Sequence, residues 1–347
     1  NKHGYSKHDP ALPLFGESDA LRALTYLQPL GFERPIEVAP NVTVEFHPAG
    51  HLLGSAFVIV RLAGGPNILF GGDLGRYNRP ILPDPSGAIA ADVVLVESTY
   101  GDRDHQPDDS GEQLAAVIKD TAARSGKLVI PAFAIGRVEE VLYWVRRLEA
   151  EHRIPVLPVY VDSPMATEAL RYYSARVAEL DPELRPTSGP VYAFATTRFQ
   201  TVASTQQSKE LTASRRPGIV ISSSGMATGG RVLHHLAATL PDQKNTVLFV
   251  GYQAAGTRGR QLVDGAREVR IHGHSVPVNA KVAKIDSMSA HADRGEILQW
   301  LGTLGSAPRR LCLVHGEPAP MDALKALIHE RLSWTPYTPG HGETIEL

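Results

Sequence analysis

A single cysteine, Cys312, stands in 347 residues, so the chain has no internal disulfide and no cysteine-rich zinc site. Its setting in the apolar run Leu311-Cys312-Leu313-Val314 is that of a core thiol rather than a nucleophile. Long hydrophobic runs are lacking too. No stretch reaches the ~18 residues of a membrane span and no secretory signal is visible, so the expected compartment is the reducing cytoplasm, with no membrane partner. Nor does one sign of charge dominate: 35 Lys and Arg stand against 37 Asp and Glu. A basic module that holds nucleic acid through its overall field is thereby excluded, and any phosphate recognition must be local. What remains, 43% hydrophobic and 21% charged residues, is ordinary for globular protein and is enough for two domains or one large one.

The pattern along the chain changes twice. From Asn41 to Glu97 it consists of short strands and turns, with alternation from Val42 to His47, a β-branched run from Ala56 to Leu62, a short piece from Asn67 to Phe70 and a continuous apolar run from Asp92 to Val96. These predict an antiparallel sheet. After Gly101, strand-like runs alternate with helical periods. Lys127–Ile130 precedes a helix near 136–149, and Val156–Val161 one near 164–179, where Ser163 is a plausible N-cap before Pro164. Gly218–Ser222 leads into a helix near 229–238, and Thr246–Gly251 into a shorter one. That order predicts right-handed crossovers and a parallel sheet. From about Lys281 the earlier style returns, with strands at Val282–Asp286 and Arg310–Val314. One domain interrupted by another is the simplest reading.

Five residues suit metal or acid–base chemistry because each falls at a strand tip, a rigid support whose following turn exposes the side chain. His51 follows the strand ending at His47, Asp73 follows Gly71-Gly72, and Glu97 ends Val93-Val94-Leu95-Val96. His291 lies in Ser289-Ala290-His291-Ala292-Asp293, before a helix that Asp293 could cap with Glu296, and His315 ends Leu311–Val314. Three histidines and two acids collected at the carboxyl ends of strands suit a hydrolytic zinc site.

Those residues sit in five ordered motifs: Gly50-His51-Leu52-Leu53-Gly54-Ser55-Ala56, Gly72-Asp73-Leu74-Gly75, Glu97-Ser98-Thr99-Tyr100-Gly101, Ser289-Ala290-His291-Ala292-Asp293 and Leu313-Val314-His315-Gly316-Glu317. In order and spacing they resemble the motifs of the β-CASP nucleases, the metallo-β-lactamase-fold family of the mRNA 3′-end-processing endonuclease. Ile130–Arg137, Asp162-Ser163-Pro164-Met165-Ala166 and Ser224-Gly225-Met226 with Gly229-Gly230 are similar as well. The resemblance implies an α/β fold: an αββα metallo-β-lactamase domain at 1–102 and 288–347, its N-terminal part missing, interrupted at 103–287 by a parallel α/β β-CASP domain. It implies two zinc ions, with His51 on one, His315 on the other and Asp73 bridging both. Glu97 would orient His291, which would protonate the departing oxygen. Two metals held close together acidify a water and neutralise phosphoryl charge, and a histidine backed by a carboxylate suits the poor alkoxide leaving group. RNA is the implied partner, and a homodimer is left open.

Other features carry less. The loop Ser224–Gly230, with Ser224, Gly225, Gly229 and Gly230, opens a helix whose amides could hold phosphate. Arg137 opens another helix and could hold phosphate or simply pair with an acid. His234 and His235 read as mid-helix surface or core residues, and His272 and His274 lack a carboxylate partner. Two rival functions stand beside the RNA nuclease. A small-molecule hydrolase would have no need of so large an inserted domain, and a noncatalytic RNA-binding subunit would be expected to have lost ligands that are intact here. Finally, two-zinc centres of this fold draw on a His-x-His-x-Asp-His segment, and no stretch has that spacing; His3 and His8 come nearest. The expectation is therefore an incomplete metal site and an exposed apolar face where upstream strands would belong.

Overall fold

Two six-stranded sheets organise the chain, and in the computed structural model residues 13–106, 109, 111–184 and 194–346 are described, so His3 and His8 lie outside the described residues. In chain order the strands are β1 (Ile36–Ala39), β2 (Val42–Pro48), β3 (Ala56–Leu62), β4 (Ile68–Phe70), β5 (Val93–Glu97), β6 (Lys127–Pro131), β7 (Val159–Val161), β8 (Phe199–Thr201), β9 (Gly218–Ser222), β10 (Thr246–Val250), β11 (Glu268–Ile271), β12 (His274–Pro277), β13 (Lys281–Ile285) and β14 (Arg310–Val314). The helices are α1 (Glu17–Leu24), α2 (Glu112–Ala123), α3 (Arg137–Ala150), α4 (Pro164–Ala175), α5 (Thr205–Ala213), α6 (Val232–Thr239), α7 (Arg258–Val263), α8 (Arg294–Gly302) and α9 (Pro318–Leu332).

The first sheet has the order β1-β2-β3-β4-β5-β14. Its first four strands are antiparallel, as their alternation predicts, but β5 runs parallel to both β4 and β14. The sequence expectation of a purely antiparallel sheet is corrected here. The run Val93–Val96 is continuously apolar because it is an inner parallel strand, largely buried along its length between β4 and β14. On one face Phe57, Ile59, Leu69, Val94 and Val96 pack under Ile297, Trp300 and Leu301 of α8 and Leu324 and Ile328 of α9. Among the described residues the other face has no such layer of helices. Phe46, Val58 and Phe70 form one cross-strand row there, with Phe70 43% exposed, and α1 buries none of its residues. Phe46 and Val58 in that row are partly buried.

The second sheet, β13-β10-β6-β9-β7-β8, is parallel throughout. Strands β6, β9 and β10 are buried along their whole length between two apolar layers. One layer is formed largely by α2, α3 and α4, the other by α6, α7 and the β11–β12 hairpin. The strand near Val282, grouped by its pattern with the return but placed by the 103–287 bounds in the inserted domain, closes this second sheet by pairing with β10. Return to the first sheet comes after Ile285. Local signals set several helix ends. Ser163 accepts from the Ala166 amide ahead of Pro164, and Asp293 and Glu296 exchange side-chain bonds to each other's amides at 2.9 Å.

Candidate metal centre

β2, β4, β5 and β14 all run the same way, so the residues at or just beyond their carboxyl ends meet at one edge of the first sheet. Those residues are His51, Asp73, Glu97 and His315. Close backbone packing makes the convergence possible: a Cβ on Gly75 would lie 2.1 Å from Gly50 backbone, and one on Gly316 would lie 2.5 Å from Ser98 Oγ. His291 enters from the segment between β13 and α8, fixed by a backbone bridge to Gly75 and by the Ala292 amide, which donates to the Leu74 carbonyl at 2.8 Å.

Asp73 is central. Its Oδ2 lies 3.9 Å from His51 Nε2 and its Oδ1 lies 3.5 Å from His315 Nδ1. Glu97 is wholly buried, and its carboxylate holds His291 Nδ1 with oxygens at 2.9 and 3.1 Å while accepting from the Leu74 amide at 2.8 Å. That leaves Nε2 as the free nitrogen of His291. The His291 ring lies between its neighbours, 4.4 Å from the His51 ring and 5.7 Å from that of His315. Sequence reasoning set His291 apart from the ligands, whereas the structure packs it among them.

Electrostatics separates the histidines. Burial, helped by the positive potential of His291, pushes His51 down to about 4, so it is a neutral imidazole at physiological pH, the form that binds metal. Burial also disfavours charge on His291, but the hydrogen bond and negative charge of Glu97 outweigh it and raise its pKa above the usual value. Burial likewise opposes ionisation of Glu97, and the bonds from His291, Thr99 and Leu74 reverse that and hold the carboxyl below its ordinary range.

The donors fit a metal in kind. Among the described residues, ligand atoms of His51, Asp73 and His291 lie within 4.8 Å of one another, as do those of Glu97, His291 and His315. They form two overlapping groups that share His291 rather than two complete sets of four donors.

Over this edge stands a cavity of about 670 Å³. Its far wall comes from the carboxyl ends of the second sheet, with Phe133 and Ile135 after β6, Met226 after β9 and Tyr252 after β10. Arg137 lines it as well. Its guanidinium is 5% exposed and pairs with Glu140 at 2.5 Å, yet its Nε has no partner. Of the loop Ser224–Gly230 only Met226 reaches the cavity. Of the residues expected to form an amide cradle, Ser224, Gly225, Gly229 and Gly230, two have amides engaged within the loop, Ser224 with the Gly229 carbonyl and Gly229 with Ser224 Oγ. Ser224 Oγ takes the Thr228 and Gly229 amides at 3.1 and 3.3 Å, and the first amides of α6 bond to Ser223, Gly230 and Arg231 carbonyls.

The sequence passed over two residues. Thr99 Oγ1 lies 3.2 Å from His315 Nδ1 and 3.5 Å from His291 Nδ1, so it touches both histidines. Tyr252 reaches across to Glu317. His235, read as an ordinary mid-helix residue, is buried, with Nε2 2.6 Å from Asp162 Oδ2, where Ser208 and Arg231 also converge on the carboxylate. This is a structural knot beneath β7, remote from the metal donors. His234 and His272 stack on each other at the surface, ring centroids 4.5 Å apart.

Comparison with known proteins agrees with this geometry. Residues 138–262 match the Beta-Casp domain, and residues 275–339 match the Zn-dependent metallo-hydrolase RNA specificity domain. The chain is 37% identical over 321 residues to Ribonuclease TTHA0252 of Thermus thermophilus, covering 91% of this chain and 72% of that one. It is 32% identical to the Transcription termination factor FttA of Pyrococcus horikoshii, over 96% of this chain but only 53% of the factor. An RNase J-like protein of Methanocaldococcus jannaschii is 29% identical, with 96% and 77% covered. The chain thus spans about half the length of the termination factor. It belongs to the β-CASP family of metallo-β-lactamase-fold, metal-dependent nucleases.

Proposed function

We propose that the protein hydrolyses RNA phosphodiester bonds in the cavity between the two sheets, using a pair of zinc ions. The observation that carries this reading is the convergence of His51, Asp73, Glu97, His291 and His315 on one edge of a large cavity. Names of relatives support the substrate class, since two of them are ribonucleases or like one. His51, Asp73 and His315 would hold the metal, Asp73 facing both histidines through different oxygens. Bound zinc supplies Lewis-acid neutralisation of phosphoryl charge and a more acidic water.

The remaining work falls to the chain's own groups. With Nδ1 tied to Glu97, His291 can carry a proton on Nε2 toward the departing oxygen, and its raised pKa keeps that proton available near neutrality. Arg137 offers the cation for a phosphate, because it lines the cavity and its guanidinium is held in place by Glu140. The partly exposed Phe133, Ile135 and Met165 make the opposite wall apolar, which suits the face of a base rather than the backbone. Replacing His291 by alanine in the full-length protein tests the division of labour. Turnover on RNA should fall roughly 10²- to 10⁴-fold while metal content holds. Loss of metal on elemental analysis would make His291 a ligand instead.

A further inference from the structure

The main cavity shares part of its wall with a smaller one. Tyr252, just after β10, and Glu317, at the start of α9, stand on its wall and equally on the wall of a second cavity of about 180 Å³. They touch. The Tyr252 hydroxyl donates to Glu317 Oε1 at 2.6 Å, and the Ala255 amide approaches the same oxygen at 3.4 Å. A phenol on a carboxylate at that distance makes a strong, charge-assisted bond. One partner comes from each sheet's domain, so parting them costs a side-chain bond and a long amide contact, not a rung of either sheet.

Beyond the pair, Arg103, Arg260 and Lys284 line the smaller cavity. Each has an acid beside it, Asp102, Asp264 and Asp286 at 2.7, 2.8 and 2.5 Å, which fixes the cations in place on the wall. Three cations on one small wall, each with donors left beyond its acid, can take phosphodiester oxygens, with Asp264 and Glu317 on the same wall. A strand lying in the main cavity could therefore continue into the smaller one, and the Tyr252–Glu317 bond stands in its way.

Resting on the ribonuclease reading, we infer that the Tyr252–Glu317 hydrogen bond is a removable bar between the two cavities, which sets how readily an RNA running through the site is cut relative to one that ends inside it. An RNA with a free end reaches the metal donors from the large cavity alone. A strand without ends must cross the bar.

The test compares a closed circular RNA with the linear RNA of the same sequence, using the full-length, metal-loaded protein. Tyr252→Phe deletes the hydroxyl and keeps the ring that packs edge-on against Tyr100 at 5.6 Å. Glu317→Ala removes the other partner, and Glu317 caps no amide of α9 through its side chain. In each variant the ratio of circular to linear cutting rates should rise on the order of tenfold, the worth of one charge-assisted bond. The double variant should rise no further than either single one. If the wild type cuts linear RNA and both single variants keep its ratio, the bar does not exist. If the wild type cuts neither RNA, the ribonuclease reading fails, and this inference with it.

Discussion

Glu139 is a carboxyl in the first turn of α3, wholly shielded from solvent, with neither oxygen in a well-formed hydrogen bond. Burial pushes its pKa up from 4.5 to about 7, and the amides of Gly136 and Glu139 and the charge of Arg137 offset only part of that. The sign of the linkage follows. A folded pKa above the unfolded one means that the unfolded chain releases this proton first as pH rises, so stability falls from about pH 4.5 and levels off above pH 7. At ~1.4 kcal/mol per unit, the loss accumulated between pH 5 and 8 is roughly 2 to 3 kcal/mol. Glu139→Gln cannot ionise and should not show it. Urea unfolding of both proteins, with chelator present so that metal binding adds no pH dependence of its own, gives a difference curve. Its absolute height includes whatever the amide does to packing, but its slope does not. The variant should gain roughly 2 to 3 kcal/mol on the wild type between pH 5 and 8. A flat difference would mean that Glu139 ionises in the folded state as freely as in water, and that the interior beside Arg137 is wetter than its burial implies.

Thr99→Val keeps the shape of a side chain that touches two site histidines, and losing the hydroxyl should weaken metal binding about tenfold. Competition with a chelator of known affinity reads this directly, and unchanged affinity would reduce Thr99 to packing. Gly229→Ala meets nothing within 4 Å, and because its amide already serves Ser224, RNA affinity should stay within about twofold of wild type. A tenfold loss in a filter-binding assay would restore a phosphate contact to that loop. Gly75→Ala, by contrast, puts a Cβ 2.1 Å from the Gly50 carbonyl and should pull the His51 turn away from Asp73, with soluble protein that has lost most of its metal. Retention of full metal content would show that this edge of the sheet yields more easily than its packing suggests.

How far the sequence reaches can be seen in which residues it located. His51, Asp73, Glu97 and His315 were legible because strand ends are marked locally, by an apolar run followed by glycine, and parallel strands then bring such ends together wherever they fall in the chain. Two sheets were legible for the same reason, from the change between alternating and continuous apolar runs. The strand at 281–285 was not legible from its pattern alone, although the bounds 103–287 that the family resemblance implies include it. Its composition fits either sheet, and only its pairing with β10 decides. Tyr252 and Glu317 lie 65 residues apart and Thr99 and His315 216 apart, with nothing in either neighbourhood to announce the contact.

The loop Ser224–Gly230 bears on how such sites should be judged. A glycine-rich turn between a strand and a helix is expected to hold anions because the first amides of a helix have no partners. Here Ser224 sits where its hydroxyl can accept from two of the loop's amides, and the turn satisfies the next ones before α6 begins at Val232. The amides of Thr228 and Gly229 are thus engaged within the turn itself. Arg137 presents the opposite case. A helix-opening arginine three residues ahead of a glutamate reads as an ordinary i,i+3 pair, and the pair is indeed made. Yet one pair uses only part of a five-donor guanidinium, and burial leaves Nε with no water to turn to. Phosphate affinity depends on donors that the fold leaves over and that also face the cavity, and Arg137 on its wall and the amides of Gly225 and Gly230 are the positions to test for a hold on the RNA backbone.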